Sequence, residues 1–210
     1  MARRTVRGLL LGLSAALFSC SAPTYASIPE IAKSHQRQLT REARAVWGLD
    51  APVSTFAAQV HQESRWQSGV RSPVGAQGLG QFMPDTTRWI ARVYPHSLGE
   101  AAPFNPDWAL RALVTYDHWL YQRIEAATEC DRWAFVLSAY NGGLGWVQRD
   151  RKKAGLSGVD NTRYWGHTER VNAGRGAAYF SENRTYPARI LQHWQPQYEA
   201  AGWGMGVCHD

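Results

Sequence analysis

Within residues 69 to 84 the chain carries Gly69, Pro73, Gly75, Gly78, Gly80 and Pro84. That density of breakers predicts a loop, excluding a helix and arguing against a strand. Before the loop, Val53, Phe56, Ala57, Val60, Ser64 and Gln67 recur at three- and four-residue steps. They predict a helix with Asp50 and Pro52 as its N-terminal cap. After it, helical patterning resumes only past Pro84. The chain must therefore set a helix end against a glycine-rich loop whose backbone can approach a ligand closely.

Glu63 stands at that junction, three residues after Val60 and seven after Phe56. Its carboxylate leaves the helix beside the apolar stripe. Burial disfavours the ionised form and raises the pKa, as a general acid near neutral pH requires. The plainer alternative is a Glu at the edge of the stripe reaching for water. The loop that follows adds neutral hydrogen-bonding groups at Ser72, Gln77 and Gln81.

Three ordered segments carry a resemblance: Glu63-Ser64, then Ser72-Pro73-Val74-Gly75-Ala76-Gln77-Gly78-Leu79-Gly80-Gln81-Phe82-Met83-Pro84, then Ala139-Tyr140-Asn141-Gly142-Gly143. Together they resemble the soluble lytic transglycosylase family, lysozyme-like proteins acting on peptidoglycan. The family pattern reads E-S, S-x-x-G-A-x-G-L-M-Q-x-M-P and A-Y-N-x-G. Gly80 departs from it, standing where Met is usual, a change expected to loosen one cleft wall. The resemblance covers residues 45 to 190. It implies a mainly α, single lysozyme-like helical domain with a glycine-rich active-site loop.

The resemblance implies one catalytic acid rather than two. Glu63 would protonate the glycosidic oxygen between N-acetylmuramic acid and N-acetylglucosamine. Its carboxylate would then take the proton of the muramoyl C6 hydroxyl, which closes on C1 as a 1,6-anhydro ring. No metal or organic cofactor is needed. Ser72 is expected near Glu63 or the muramoyl group, Gly78 and Gln81 along the loop, and Met83 on an apolar floor. Tyr140 and Asn141 are expected across the cleft, with Tyr140 orienting the acid. Read without the resemblance, Tyr140 to Gly143 is simply a capped helix end. Glu182-Asn183-Arg184-Thr185-Tyr186 resembles a later E-T-R-x-Y segment, with Asn183 departing, and brings in Tyr186 as a further substrate-binding residue.

Length and composition agree with one globular domain: 210 residues, 44% hydrophobic and 19% charged. Residues 1 to 26 read as a secretory signal, with Arg3, Arg4 and Arg7 before the apolar run Leu9 to Phe18 and small residues ahead of Ser27. The domain is then 27 to 210, exported to the periplasm or beyond. Anchoring through Cys20 as a lipoprotein is the rival reading, and Phe18 fits it poorly. Removing the signal lowers the net charge from +6 to +3. That mild excess suits an anionic wall polymer and does not call for nucleic acid, for which no motif is present. Peptidoglycan strands are the expected partner and the chain is expected to be monomeric. A secretion or phage apparatus is left open as a further partner.

Export leaves Cys130 and Cys208 as an even pair in an oxidising compartment, so a disulfide is expected. The alternative is two unpaired thiols. Their spacing excludes a zinc ribbon, and His61-Gln62-Glu63 lacks the P-C-x-x-C of a zinc deaminase.

Further helices are expected over Pro29 to Trp47 (Ile28, Ile31, Leu39, Val46 and Trp47 inward) and Asp85 to Tyr94. Others follow from Asn105 through Ile124, from an Asp131 cap to Tyr140, over Leu144 to Lys153, and over Tyr186 to Ala200. Residues 156 to 176 read as loop. Trp66 and Trp89 lie nearest the motif as sugar platforms, while Trp47 and Trp194 read as packing residues.

Two competing functions remain. A goose-type lysozyme-like hydrolase needs a second carboxylate opposite Glu63. Asp85 is the near candidate among the acids between Glu63 and Arg111. A non-catalytic wall-binding assembly factor would have little reason to keep Glu63, Gln81 and Tyr140 together.

Overall fold

A computed structural model describes residues 28–209. The secretory-signal reading and the Cys20 alternative lie outside those residues. Among the described residues nine α-helices follow in order: α1 Glu30–Trp47, α2 Val53–Ser64, α3 Pro84–Val93, α4 Pro95–Leu98, α5 Pro106–Tyr121, α6 Glu129–Gly142, α7 Leu144–Leu156, α8 Ala177–Ala188 and α9 Gln195–Ala200. A π-helical segment, Arg189–Trp194, joins α8 to α9, and Thr168–Arg170 forms a 3₁₀ turn. Among the described residues no strand forms. The 65–83 loop has only isolated bridges at Arg71–Gln77 and Gln77–Phe82.

Helix α2 is the axis of the packing, touching α1, α9 and the π segment. Its residues are buried all round, from Val53 through His61 and again at Ser64. A helix so enclosed needs no amphipathic stripe. Its polar residues bond instead to the C-terminal part of the chain: Thr55 Oγ1 donates to Gln195 Oε1 at 2.7 Å and Ser54 Oγ to Gly204 O at 2.6 Å. The expected Asp50–Pro52 side-chain cap does not form; Pro52 is the N-cap residue, and its carbonyl accepts from Thr55 and Phe56. Gln67 lies past the helix end, exposed.

Elsewhere the helices differ from expectation in instructive ways. Ile31 is 51% exposed, because α1 turns Ala32, Leu39 and Ala43 inward instead. Glu42 sits in that buried stripe, held by Arg111 of α5 at 2.6 Å. Helix α3 ends just before Pro95, and that proline opens the short α4, as its fixed φ allows at a first helical position. Asn105 caps α5 as expected, accepting from Asp107 N at 2.9 Å. Thr128, not Asp131, is the cap of α6: its Oγ1 accepts from Asp131 N at 3.1 Å and donates to the Asp131 carboxylate at 2.8 Å. Asp131 is thereby free to receive Tyr164 N at 2.8 Å.

That last bond belongs to a set that shapes residues 156–176. Asp150 is buried and receives Ala173 N at 2.8 Å, Arg175 at 2.9 Å and Arg184 at 2.7 Å. The segment is held by side chains reaching backbone and by a buried ion cluster, interactions without a periodic sequence pattern.

Cys130 in the first turn of α6 and Cys208 are disulfide-bonded, with Cα atoms 4.7 Å apart. The tail is also tied by Gln195 Nε2 donating to Val207 O at 2.6 Å and by Trp203, which is 4% exposed in the core.

Candidate active site

Glu63 lies in the last turn of α2 and opens, half-buried, into a cleft of about 610 Å³. Burial pushes its carboxyl up to about 8, and the charge of Glu182 adds to the shift. The negative end of the α2 dipole works in the same direction. A hydrogen bond from Tyr186 Oη opposes it, since it favours the carboxylate. At neutral pH the carboxyl is mostly protonated, and a hydrogen-bond donor for the carboxylate it becomes, Tyr186 Oη, is already in place.

Immediately after Ser64 the chain turns sharply through two left-handed residues, Arg65 (φ 51) and Trp66 (φ 66). Trp66 is thereby driven into the core, 1% exposed, its indole N–H donating to Tyr198 at 2.6 Å. It is a packing residue and not a sugar platform. Trp89 stands at the surface, edge-on to Trp119 at 4.8 Å, and the two line a groove with Tyr116 that abuts the cleft.

The glycine-rich loop forms one wall, and two of its glycines are required by close approach. Gly78 has φ +69, and a Cβ there would lie 1.8 Å from the Pro103 carbonyl oxygen. Gly78 therefore packs behind the loop and is not among the cleft-lining residues. A Cβ on Gly80 would lie 2.7 Å from the Phe82 ring and 2.9 Å from Tyr140 Oη. Tyr140 Oη donates to Gly80 O at 2.7 Å. The missing side chain therefore lets Tyr140 and Phe82 close the wall; it does not leave the wall loose.

Ser72, Gln81, Met83, Tyr140, Asn141 and Tyr186 line the cleft with Glu63. Ser72 Oγ accepts from Ala76 N at 3.0 Å, which leaves its proton free for another acceptor. Gln81 folds its amide back onto Gly78 O at 2.9 Å and stabilises the loop. Met83 is 44% exposed, an apolar surface open to a ligand. Asn141 is fixed by Asn183, whose Nδ2 donates to Asn141 Oδ1 at 2.9 Å and to Ser138 O at 2.8 Å. Asn183, the departure noted in the sequence, is thus the buried clamp between α6 and α8. Tyr186, rather than Tyr140, is the residue bonded to Glu63.

Sequence reasoning missed two carboxyl groups. Glu182 lines the cleft and receives Asn141 Nδ2 at 3.4 Å. It was visible as the first residue of the segment that supplied Tyr186. Asp117 of α5 is wholly buried and faces Gln59 of α2, one turn before Glu63, at 3.4 Å. Burial holds its carboxyl well above the usual range, and Glu63 reinforces that shift. Asp117 Oδ2 and Gln59 Oε1 both lack a partner among the described residues, so a proton on Asp117 provides the missing donor. The signal was present, because Asp117 falls on the Leu110–Leu113–Leu120 stripe. Asp85, the acid considered in its place, is exposed, bonded to Arg88, and does not line the Glu63 cleft.

The sequence profile of the Transglycosylase SLT domain family matches residues 40–161, a span holding α2, the loop and the Tyr140–Asn141 end of α6. The chain belongs to the Transglycosylase SLT domain family. The soluble lytic murein transglycosylase of Salmonella typhimurium is 32% identical over 103 residues, covering 48% of this chain and 15% of that protein. The membrane-bound lytic murein transglycosylase F of Vibrio cholerae is 27% identical over 134 residues, covering 63% of this chain and 24% of that one. The chain thus spans no more than about a quarter of these relatives. An inactive mutant of lytic transglycosylase Slt from Pseudomonas aeruginosa superposes with a TM-score of 0.58 at 24% identity, covering 82% of this chain and 25% of that one. A 70-kDa soluble lytic transglycosylase in complex with bulgecin A gives a TM-score of 0.56 at 25% identity, over 81% of this chain and 25% of that one. The fold of this SLT domain is mainly α and lysozyme-like, as the resemblance implies.

Proposed function

We propose that this SLT domain is a peptidoglycan lytic transglycosylase, cleaving the β-1,4 bond between N-acetylmuramic acid and N-acetylglucosamine. The observation that carries the reading is Glu63: a carboxyl raised to about 8, opening into the cleft with Tyr186 bonded to it. Such a group serves as acid and then as base within one turnover. Protonated Glu63 gives its proton to the glycosidic oxygen as the C1–oxygen bond breaks. The muramoyl C6 oxygen bonds to C1, and its proton returns to Glu63. Tyr186 stabilises the carboxylate between the two transfers. No water is consumed, and the acid is restored.

The names of the relatives support the substrate class. The mild positive charge suits an anionic wall polymer, and the N-terminal segment supports export, with residues 1–26 removed and 27–210 as the working domain. Among the described residues no helix is long and apolar enough to cross a membrane.

Glu182 is the observation that favours a second reading, a lysozyme-like hydrolase, since it places another carboxyl in the cleft. The products separate the two. Mass spectrometry of digested peptidoglycan is expected to show muropeptides ending in 1,6-anhydromuramic acid, lighter by one water than hydrolytic products. Reducing muramic acid ends as the main species would assign the hydrolase.

A further inference from the structure

Asp150, Arg184, Asn183 and Asn141 form one chain of hydrogen bonds running from the interior to the cleft. The Asp150 carboxylate, on a residue 1% exposed, receives Arg184 Nη2 at 2.7 Å. Arg184 Nε donates to Glu169 O at 2.8 Å and Nη2 also to Val171 O at 2.9 Å, so the guanidinium is fixed from several sides. Its remaining nitrogen, Nη1, donates to Asn183 Oδ1 at 2.6 Å, and Ser138 Oγ donates to the same oxygen at 2.8 Å.

The two ends of an amide are nearly alike in shape, so only their partners tell them apart. Here they do. Arg184 carries donors alone, which holds the Asn183 oxygen toward it. The Ser138 carbonyl is an acceptor alone, which holds Asn183 Nδ2 at 2.8 Å. The second hydrogen of Nδ2 then goes to Asn141, and the Asn141 atom 2.9 Å away must be its oxygen. Asn141 Nδ2 is consequently turned to Glu182 at 3.4 Å, and its other N–H has no partner among the described residues. Asn141 lines the cleft, so what it offers a bound strand is a donor.

The backbone makes room for this chain. Asn183 is 1% exposed, and a Cβ on Gly142 would collide with Arg175 and lie 2.6 Å from Asn183 Nδ2. The glycine lets α8 close on the end of α6 at the point where the amides meet.

We propose that Asn183 is a positioning residue that sets the polarity of Asn141, so that this part of the cleft receives a hydrogen-bond acceptor of the strand. The inference rests on the cleft being a peptidoglycan site. A preset amide spares the complex the ordering of a free polar side chain, an advantage of about three- to tenfold in affinity.

The test is a double-mutant cycle on solubilised glycan strands, with wild type, Asn183→Thr, Asn141→Ala and the double variant. Threonine keeps an oxygen for Arg184 but ends one bond short of Asn141. Asn183→Thr is expected to raise KM about three- to tenfold with kcat within about twofold, since Glu63 and Tyr186 keep their places. Asn141→Ala should raise KM at least as much, and adding Asn183→Thr to it should change nothing beyond about twofold. Losses that multiply in the double variant, or a fall in kcat with KM unchanged, would make Asn183 a packing residue and overturn the inference alone. Should Asn183→Thr fail to fold, neutron diffraction from crystals of the wild-type protein decides. Deuterium on the Asn183 nitrogen aimed at Asn141 is expected, and deuterium on the Asn141 atom facing Asn183 overturns the inference. No cleavage by wild type overturns the transglycosylase reading and the inference with it.

Discussion

Glu63→Gln is expected to abolish wall cleavage while raising stability. General acid and base transfers each contribute about 10²- to 10⁴-fold, and the amide can make neither, so turbidity clearing should fall at least about 10³-fold. The stability gain follows from linkage. The carboxyl titrates near 4.5 unfolded and about 8 folded, so between those values the folded chain holds a proton that the unfolded chain has lost. Stability from this group is full below about 4.5 and declines as pH rises toward about 8. The Gln variant escapes that decline. Its advantage should be absent at pH 4 and reach on the order of 2–4 kcal/mol at pH 8, allowing for cleft solvent. Wild-type activity should fall as pH passes about 8, where the acid form is lost. A Gln variant clearing peptidoglycan at near wild-type rate overturns the assignment. One inactive but no more stable at pH 8 removes the buried-proton account.

Reduction of Cys130–Cys208 is expected to lower thermal stability far more than activity. The bridge closes a separation of 78 residues, for which chain-entropy models give roughly 4 kcal/mol, often less in practice. The tail is also held by Gln195, Ser54 and buried Trp203, so some order survives. A loss of about 2–3 kcal/mol, or roughly 5–10 °C in Tm, is the expected result. Cys130 is ten residues before Tyr140 on the same helix, which separates the bridge from the cleft by about 15 Å. Two free thiols per chain in denatured, unreduced mature protein would exclude the bridge. Activity lost in step with the disulfide, at a temperature where the fold persists, would place the bridge in the site.

What the sequence made legible follows the kinds of force involved. An acid interrupting an apolar period is visible in one dimension, which is why Glu63 stood out and why Asp117 could have. Asn105 and the Gly-rich loop were legible because capping and chain reversal are local chemistry. Helix α8 was not. Its start at Ala177 lies nine residues before the expected Tyr186, because Asn183 and Arg184 bury their polar groups against Ser138 and Asp150 in place of an apolar stripe. Pro187, the second residue of that expected helix and so suited to a first turn, in fact lies inside α8. The Tyr186–Glu63 bond joins residues 123 positions apart, and only the motif hinted at it.

The enclosure of α2 has a consequence for motion. Backbone amides near Glu63 are released to solvent only when the helices around them separate, so their hydrogen exchange should track global unfolding. The outer part of the loop, residues 69–75, with exposed Gly69, Arg71, Pro73 and Val74, lacks that confinement and should exchange by small local openings. On that expectation the acid sits on a firmly enclosed helix, and admission of the proposed glycan strand would fall to the outer part of the loop facing it. Exchange along α2 as fast as in the loop would refute this division of labour between anvil and gate.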